Sequence, residues 1–434
     1  GMRKSVGAWH GILSHQTTAT GGLLFAFSNV NNGTIHRTGT ANTITSASTY
    51  AANEPALLSA TRSGNNFAIF RNGGADGTAT STHSYNSNNV RIGNRATSAD
   101  VRFNGYIGEV IVYNRALTAA ELQQVHSYLS LKYGLTYNNG NSDYIASDGL
   151  TKMWDATVNA GYKHDIAGLG LDECTGLHQR QSRSVNDDRL ITMALGSSVA
   201  ASNQDNPNDV LADNTFLVWG NNDGTTNFNV AVSSVTNSTT RMARVWRVDK
   251  SDEWIDQDVT ICASGVGERY LLIHASDATF GAGTTEHKMN FTTGCVTISS
   301  ADLADGAYVT LGTKIAGPAC VNTGIKAWYR ADYGAMPNAW TDFSGNSNNL
   351  NQATVANQPA VADGVLNFNP ALNFDGNDFF SLPSLYNTND ELTAFFISRT
   401  NTINASYQAL AEFGNDRPGL YWRSGRANHF TFDV

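Results

Sequence analysis

Several groups of residues in this sequence carry carboxylates, imidazoles or amide oxygens at spacings that chemistry could use. The acidic run Asp252-Glu253-Trp254-Ile255-Asp256-Gln257-Asp258 tests for glycoside hydrolysis, because a retaining enzyme needs an acid and a nucleophile roughly 5 Å apart. Glu253 and Asp256 are three positions apart and fall on opposite faces of a strand. Asp256 and Asp258 share a face, but the run reads as a solvated turn between two strands. His164-Asp165 places a carboxylate beside an imidazole, yet strand neighbours point apart, so a structural hydrogen bond is the expectation. The sequence holds no Gly-x-Ser-x-Gly elbow, no phosphate loop and no His-Glu-x-x-His run. The chain is therefore read as not an enzyme.

Two groups suggest binding instead. The loop Asp342-Phe343-Ser344-Gly345-Asn346-Ser347-Asn348-Asn349 is dense in carboxylate and amide oxygens, the ligand type that calcium takes six to eight at a time. Asp342, Asn346 and Asn348 are its candidate ligands, for a structural calcium. Asparagine also fills such loops because it tolerates left-handed backbone angles. Sugar recognition uses exposed aromatic rings that stack on a pyranose face, helped by polar side chains. Trp9, Trp328, Trp340, Tyr421 and Trp422 are available, and Trp328 and Trp340 read as core. Tyr421-Trp422-Arg423, with Trp9, is the candidate ligand site, since adjacent strand residues face opposite ways.

The elements that must position these residues are β-strands. A chain of 434 residues suggests roughly three domains at about 100 to 200 residues each. Hydrophobic residues make up 41%, enough for real cores, while charged residues are only 15% and there are 40 glycines. That mixture favours strands joined by many turns. A net charge of -9, without basic clusters, argues against a nucleic-acid partner. No stretch has the apolar length that spans a bilayer, and the opening residues lack the apolar core of a secretion signal. Gly1 before Met2 reads as an expression scar, and 432–434 as a strand cut short, so a targeting signal is expected outside the fragment. Four cysteines are spread along the chain, and neither a disulfide framework nor a zinc site fits them. Cys262 and Cys295 lie in strand-like runs and could pair; buried free thiols are the alternative.

From 23 to 113, short apolar runs alternate with turn clusters such as Ser63-Gly64-Asn65-Asn66 and Asn72-Gly73-Gly74, the spacing of an antiparallel sandwich. One helix is predicted near 118–133. It opens on the capping box Thr118-Ala119-Ala120-Glu121, carries the stripe Leu122, Val125 and Leu129, and ends at Gly134. Tyr137-Asn138-Asn139-Gly140-Asn141-Ser142 reads as a linker. Strands are expected at 190–195, 216–219, 242–248, 259–262, 270–274, 295–298 and 308–311.

The ends of the chain resemble one domain type in inverted order. Ile325-Lys326-Ala327-Trp328-Tyr329-Arg330-Ala331-Asp332, Trp340-Thr341-Asp342-Phe343-Ser344-Gly345-Asn346 and Ala371-Leu372-Asn373-Phe374-Asp375-Gly376-Asn377-Asp378 look like the opening of a bacterial laminin-G-like, concanavalin A-like jelly roll. Gly105-Tyr106-Ile107-Gly108-Glu109-Val110-Ile111-Val112-Tyr113-Asn114-Arg115-Ala116-Leu117-Thr118 resembles the last strand of the same family. Residues 8–25 can be laid against 406–422, so about 30 residues are represented twice. The middle, with Tyr162-Lys163-His164-Asp165-Ile166-Ala167-Gly168-Leu169-Gly170 and Phe216-Leu217-Val218-Trp219-Gly220, is similar to an uncharacterised domain that follows laminin-G-like modules in large bacterial surface proteins. In the family, a structural calcium often joins the early loop to an acidic residue near the last strand, and the resemblance assigns that position to Glu109.

The expected fold is all-β. Residues 1–137 would be the C-terminal part of a laminin-G-like jelly roll, 143–318 a second β-sandwich, and 319–434 the N-terminal part of a jelly roll, able to complete 1–137 in cis or in trans. The expected function is a non-catalytic module of a secreted bacterial surface protein, for adhesion or carbohydrate binding. A stalk spacer and an accessory region of a glycoside hydrolase are the competing readings. The expected partners are a glycan or extracellular polymer and, if the halves exchange, further copies of the chain.

Overall fold

The computed structural model describes the chain except residues 1–9, 15–22, 28–33, 39–41, 52, 83–88, 95–101, 187–188, 264–267, 315–316, 322, 333, 345, 347, 382–384, 386–390, 392, 401–407, 413–418, 424–428 and 434; in several strands, among them those after 407, it describes the backbone with few or no side chains. The chain is mostly β, with one α-helix among the described residues, and it divides into two compact units, Gly1–Ile315 and Ala316–Val434.

The first unit begins with two small antiparallel sheets. One has the order Asn42–Thr45, Thr34–Thr38, Leu23–Phe27, His10–Ser14, Arg91–Ile92; the other is the meander Leu58–Ser63, Asn66–Arg71, Gly74–Thr80. Phe25 and Ile44 from one sheet meet Phe67 and Ile69 from the other in a common apolar cluster. The predicted turn Asn72-Gly73 joins the last two strands with both residues at positive φ, 46° and 80°, the backbone that a two-residue hairpin of matching twist needs.

The helix runs Ala119–Tyr133. Thr118 caps it through the Glu121 amide, Glu121 returns a bond to the Thr118 amide, and Gly134 ends it at φ 66°, as the capping box and glycine predicted. Its packing differs from expectation. Leu131 shares a core with Tyr137, Tyr144, Ala146, Met153, Trp154, Ile166, Phe216 and Val218, so the helix is built into the middle sandwich. The stretch expected to be a linker carries a 3-10 turn at Tyr137–Gly140. The Tyr144 hydroxyl bonds Leu135 O at 3.1 Å and takes the Tyr137 amide at 2.7 Å, which leaves no break between helix and sandwich.

The middle sandwich has two sheets. The larger follows Leu177–Gln179, His164–Asp172, Thr215–Asn221, Trp246–Lys250, Tyr308–Thr313, Thr240–Arg241, Val230–Ala231, with Tyr270–His274 also pairing Tyr308–Thr313 and Thr285–Lys288 pairing Tyr270–His274. The smaller is Gln181–Arg183, Ile191–Leu195, Asp258–Ala263, Cys295–Ser299. Six of the seven expected strands are present, and the one expected at 242–248 begins only at Trp246. Thr215–Asn221 is buried at every position because alternate residues serve two cores: Leu217 and Trp219 face the space between the sheets, and Phe216 and Val218 face the helix. Gly168 and Gly170 make room for that second layer, since a Cβ on Gly170 would lie 2.2 Å from the Phe216 ring. Cys262 and Cys295 are direct cross-strand partners and form a disulfide.

The second unit is a set of small ladders: Ala335–Met336, Ala339–Trp340, Leu350–Asn351; the hairpin Ala360–Leu366 with Asn369–Asn373; and the meander Gln408–Glu412, Gly419–Arg423, His429–Asp433. Among its described residues, Leu350 and Pro359 are the buried apolar side chains. Trp328 and Trp340, read as core, are half-buried. Trp328 meets Phe343 edge-on at 5.2 Å, and Trp340 donates its indole N–H to Arg330 O at 2.8 Å.

The internal repeat is visible in the backbone. His10–Ser14 pairs with Leu23–Phe27 and then Thr34–Thr38, and Gln408–Glu412 pairs with Gly419–Arg423 and then His429–Asp433. Both first strands carry a register shift between their second and fourth residues, Gly11/Leu13 and Ala409/Ala411. The same three-strand meander occurs once near each end.

Candidate functional site

Residues 104–117 run without regular secondary structure beside the helix. The Glu109 carboxylate fixes it there, accepting from Lys132 Nζ at 2.9 Å, Tyr128 Oη at 3.1 Å and Tyr133 Oη at 3.1 Å. Burial pushes the Glu109 carboxyl up, but the hydrogen bond and charge of Lys132, with the two phenols, outweigh it and hold the carboxyl below its ordinary value. Gly108 is required because a Cβ would lie 2.9 Å from the Tyr133 ring. Beyond it, Arg115 grips Glu121 with two bonds of 2.8 and 2.6 Å. Residues 105–113, expected to be the last strand of a jelly roll, are in no described strand.

Asp342, Asn346 and Asn348 come together as the sequence suggested, though in a different role. Asp342 is 3% exposed. Its Oδ1 accepts the amides of Trp328 at 2.9 Å and Ser344 at 2.8 Å, and its Oδ2 accepts Ser344 Oγ at 2.8 Å and the Asn348 amide at 3.0 Å. Asn346 turns its NH2 to Ile325 O at 2.7 Å, and Asn348 turns its own to Lys326 O at 2.8 Å. A carboxylate with four donors has spent its lone pairs, and calcium needs oxygens with lone pairs to give. As arranged, these residues do not fit calcium. Asp342 stitches the loop to 325–328, and Glu109 is committed to the helix of the other unit. Among the described residues, no group of three or more His, Cys, Asp or Glu is placed to hold a metal ion.

The aromatic candidates are less defined. Tyr421, Trp422 and Arg423 end Gly419–Arg423, the central strand of its meander, with Trp422 opposite Gln408 and Phe430; their side chains, and all of Trp9, lie outside the described residues. Elsewhere, the acidic run behaves as a turn: Trp254 is buried, and Asp256 accepts Lys250 Nζ at 3.1 Å and Ser300 Oγ at 2.9 Å. His164 is exposed and Asp165 buried. Asp165, at φ 52°, accepts Asn186 Nδ2 at 2.6 Å and Asn221 Nδ2 at 2.8 Å, with Arg244 Nη1 at 3.9 Å.

Sequence reasoning missed two features. The buried His126 puts Nε2 2.8 Å from Ser59 Oγ and lies between the Phe70 and Tyr137 rings, joining the Leu58–Ser63 meander to the helix. Burial lowers its pKa to about 4. The other is a polar cleft of about 260 Å³ lined by Lys152, Asp155, Asn159, Arg247, Asp249 and Asp305. Burial raises the Asp249 carboxyl against bonds from the Asp155 amide and Asn159, with the charges of Asp305 and Asp155 adding to the rise. Its residues come from segments up to about 150 positions apart, and only the fold assembles them.

Residues 2–123 match the concanavalin A-like lectin/glucanases superfamily. The N-terminal part of the chain is thus a concanavalin A-like domain. Residues 121–307 match a domain of unknown function (DUF8202), and the two matches meet in the helix, where the packing also joins them. No curated protein matches the chain. Among solved structures, a fragment of an S-layer domain-containing protein from Clostridium thermocellum is 16% identical over 29% of this chain and 66% of that one, with a TM-score of 0.17. The chain spans just under two thirds of that fragment, and so low a TM-score carries no argument.

Proposed function

We propose that this chain is a non-catalytic module of a secreted bacterial surface protein that binds carbohydrate or another extracellular polymer in adhesion. The observation that carries this reading is the concanavalin A-like match of residues 2–123, a superfamily named for lectins as well as glucanases. The cross-strand disulfide Cys262–Cys295 supports an oxidising, extracellular setting, since such bonds persist outside the cytosol. Asp256, from the acidic run considered for glycoside hydrolysis, is paired with Lys250. A stalk spacer is the second reading, favoured by the repeated meander. A screen of the intact chain against immobilised glycans separates the two: saturable binding to a defined glycan supports adhesion, and a blank from folded protein supports the spacer.

A further inference from the structure

We propose that residues 105–113 are a strand acceptor, and that in solution they pair with residues 393–399 of a second copy of this chain. Residues 105–113 read Gly-Tyr-Ile-Gly-Glu-Val-Ile-Val-Tyr, strong strand formers. None of their backbone N–H or C=O groups has a partner among the described residues. Both alternating rows are open: Tyr106 is 82% and Val112 71% exposed on one, Ile111 41% and Tyr113 47% on the other. Solvent-facing edge strands are normally guarded by lysine, proline or a bulge. Here the single charge is Glu109, already spent on Lys132.

The second unit presents the matching defect. Residues 393–399, Thr-Ala-Phe-Phe-Ile-Ser-Arg, are outside every described strand, with Phe395 91% and Ile397 87% exposed. The repeated meander says why one segment suits the other. In the first unit the meander precedes 105–113; in the second it follows 393–399. Relative to the same three strands, one segment lies on the C-terminal side and the other on the N-terminal side. Reciprocal pairing between two copies would give each of these segments a partner at once. The seven residues of 393–399 can all find ladder partners along 105–113, a contact of the kind that β-strand addition uses.

The test uses the full chain in a Cys174→Ser background, because Cys174 is an exposed free thiol. Val112→Cys and Phe395→Cys chains are mixed and oxidised, and the native chain is weighed by light scattering. The proposal expects a mass of at least twice 46.6 kDa and a disulfide-linked pair in the mixture that neither variant forms alone. Val112→Pro, which removes a ladder donor and stiffens the strand, should weaken association about tenfold or more while the spectrum of the middle sandwich stays unchanged. A monomer at micromolar concentration overturns the proposal. So does an oligomer that neither cross-links at these positions nor responds to Val112→Pro.

Discussion

Acid should loosen the joint between the N-terminal sandwich and the helix, and His126 sets the range. The imidazole is 2% exposed, and burial lowers its pKa from 6.5 to about 4. A histidine depressed in the folded state is held neutral, so the unfolded chain takes up the proton first as the pH falls. Stability from this residue is then full above about pH 6.5 and is lost between there and about pH 4. The limiting loss for such a shift is about 3 kcal/mol, of which roughly 2 kcal/mol is gone by about pH 5. For a domain of this size that is a fall in melting temperature of roughly 4–8 °C between about pH 7 and pH 5. The assay is thermal unfolding of the native chain and of His126→Gln across that range. The variant loses the Ser59 contact at every pH, yet its curve should be flatter by roughly 2 kcal/mol over the window. Parallel curves for the two proteins would refute the reasoning.

Other outcomes follow from the same structure. Thr118→Ala removes the helix cap and should cost about 1 kcal/mol, read as a lower urea midpoint. Gly170→Ala forces a methyl onto the Phe216 ring and should cost about 1–3 kcal/mol by the same measurement. Reducing Cys262–Cys295, which closes a separation of 33 residues, should cost about 3–4 kcal/mol and appear as a drop in melting temperature under reductant. Because the Asp342 oxygens already hold four donors, chelator should leave the melting curve in place; a stabilisation of several degrees by calcium would contradict that account.

The middle sandwich was the most legible part of the sequence. Its strands are short apolar runs such as Phe216-Leu217-Val218-Trp219 bounded by Asn, Asp and Gly, and local pattern decides them. The helix was legible for the same reason, from Thr118, Glu121 and Gly134. What local pattern does not carry is the partner. Leu131 and Tyr144 meet in one core through contacts that no spacing reveals, so an Asn-rich stretch read as a linker is a folded turn. Residues 105–113 have a strand's composition, but a strand exists only when another lies beside it, and that depends on chain elsewhere. The Asp342 loop shows the limit for sites. Its oxygen-rich composition was read as calcium chemistry, while the fold directs backbone amides into the carboxylate, and amide direction is a tertiary fact. Ser59 and His126 are 67 positions apart, too far for any motif to join them.

The most direct test of the central claim is a glycan-array screen of the intact, oxidised chain with calcium and again with chelator, after its mass has been fixed. The account predicts saturable binding to a defined glycan that persists in chelator. A blank array from folded protein would contradict it and leave the module as a spacer.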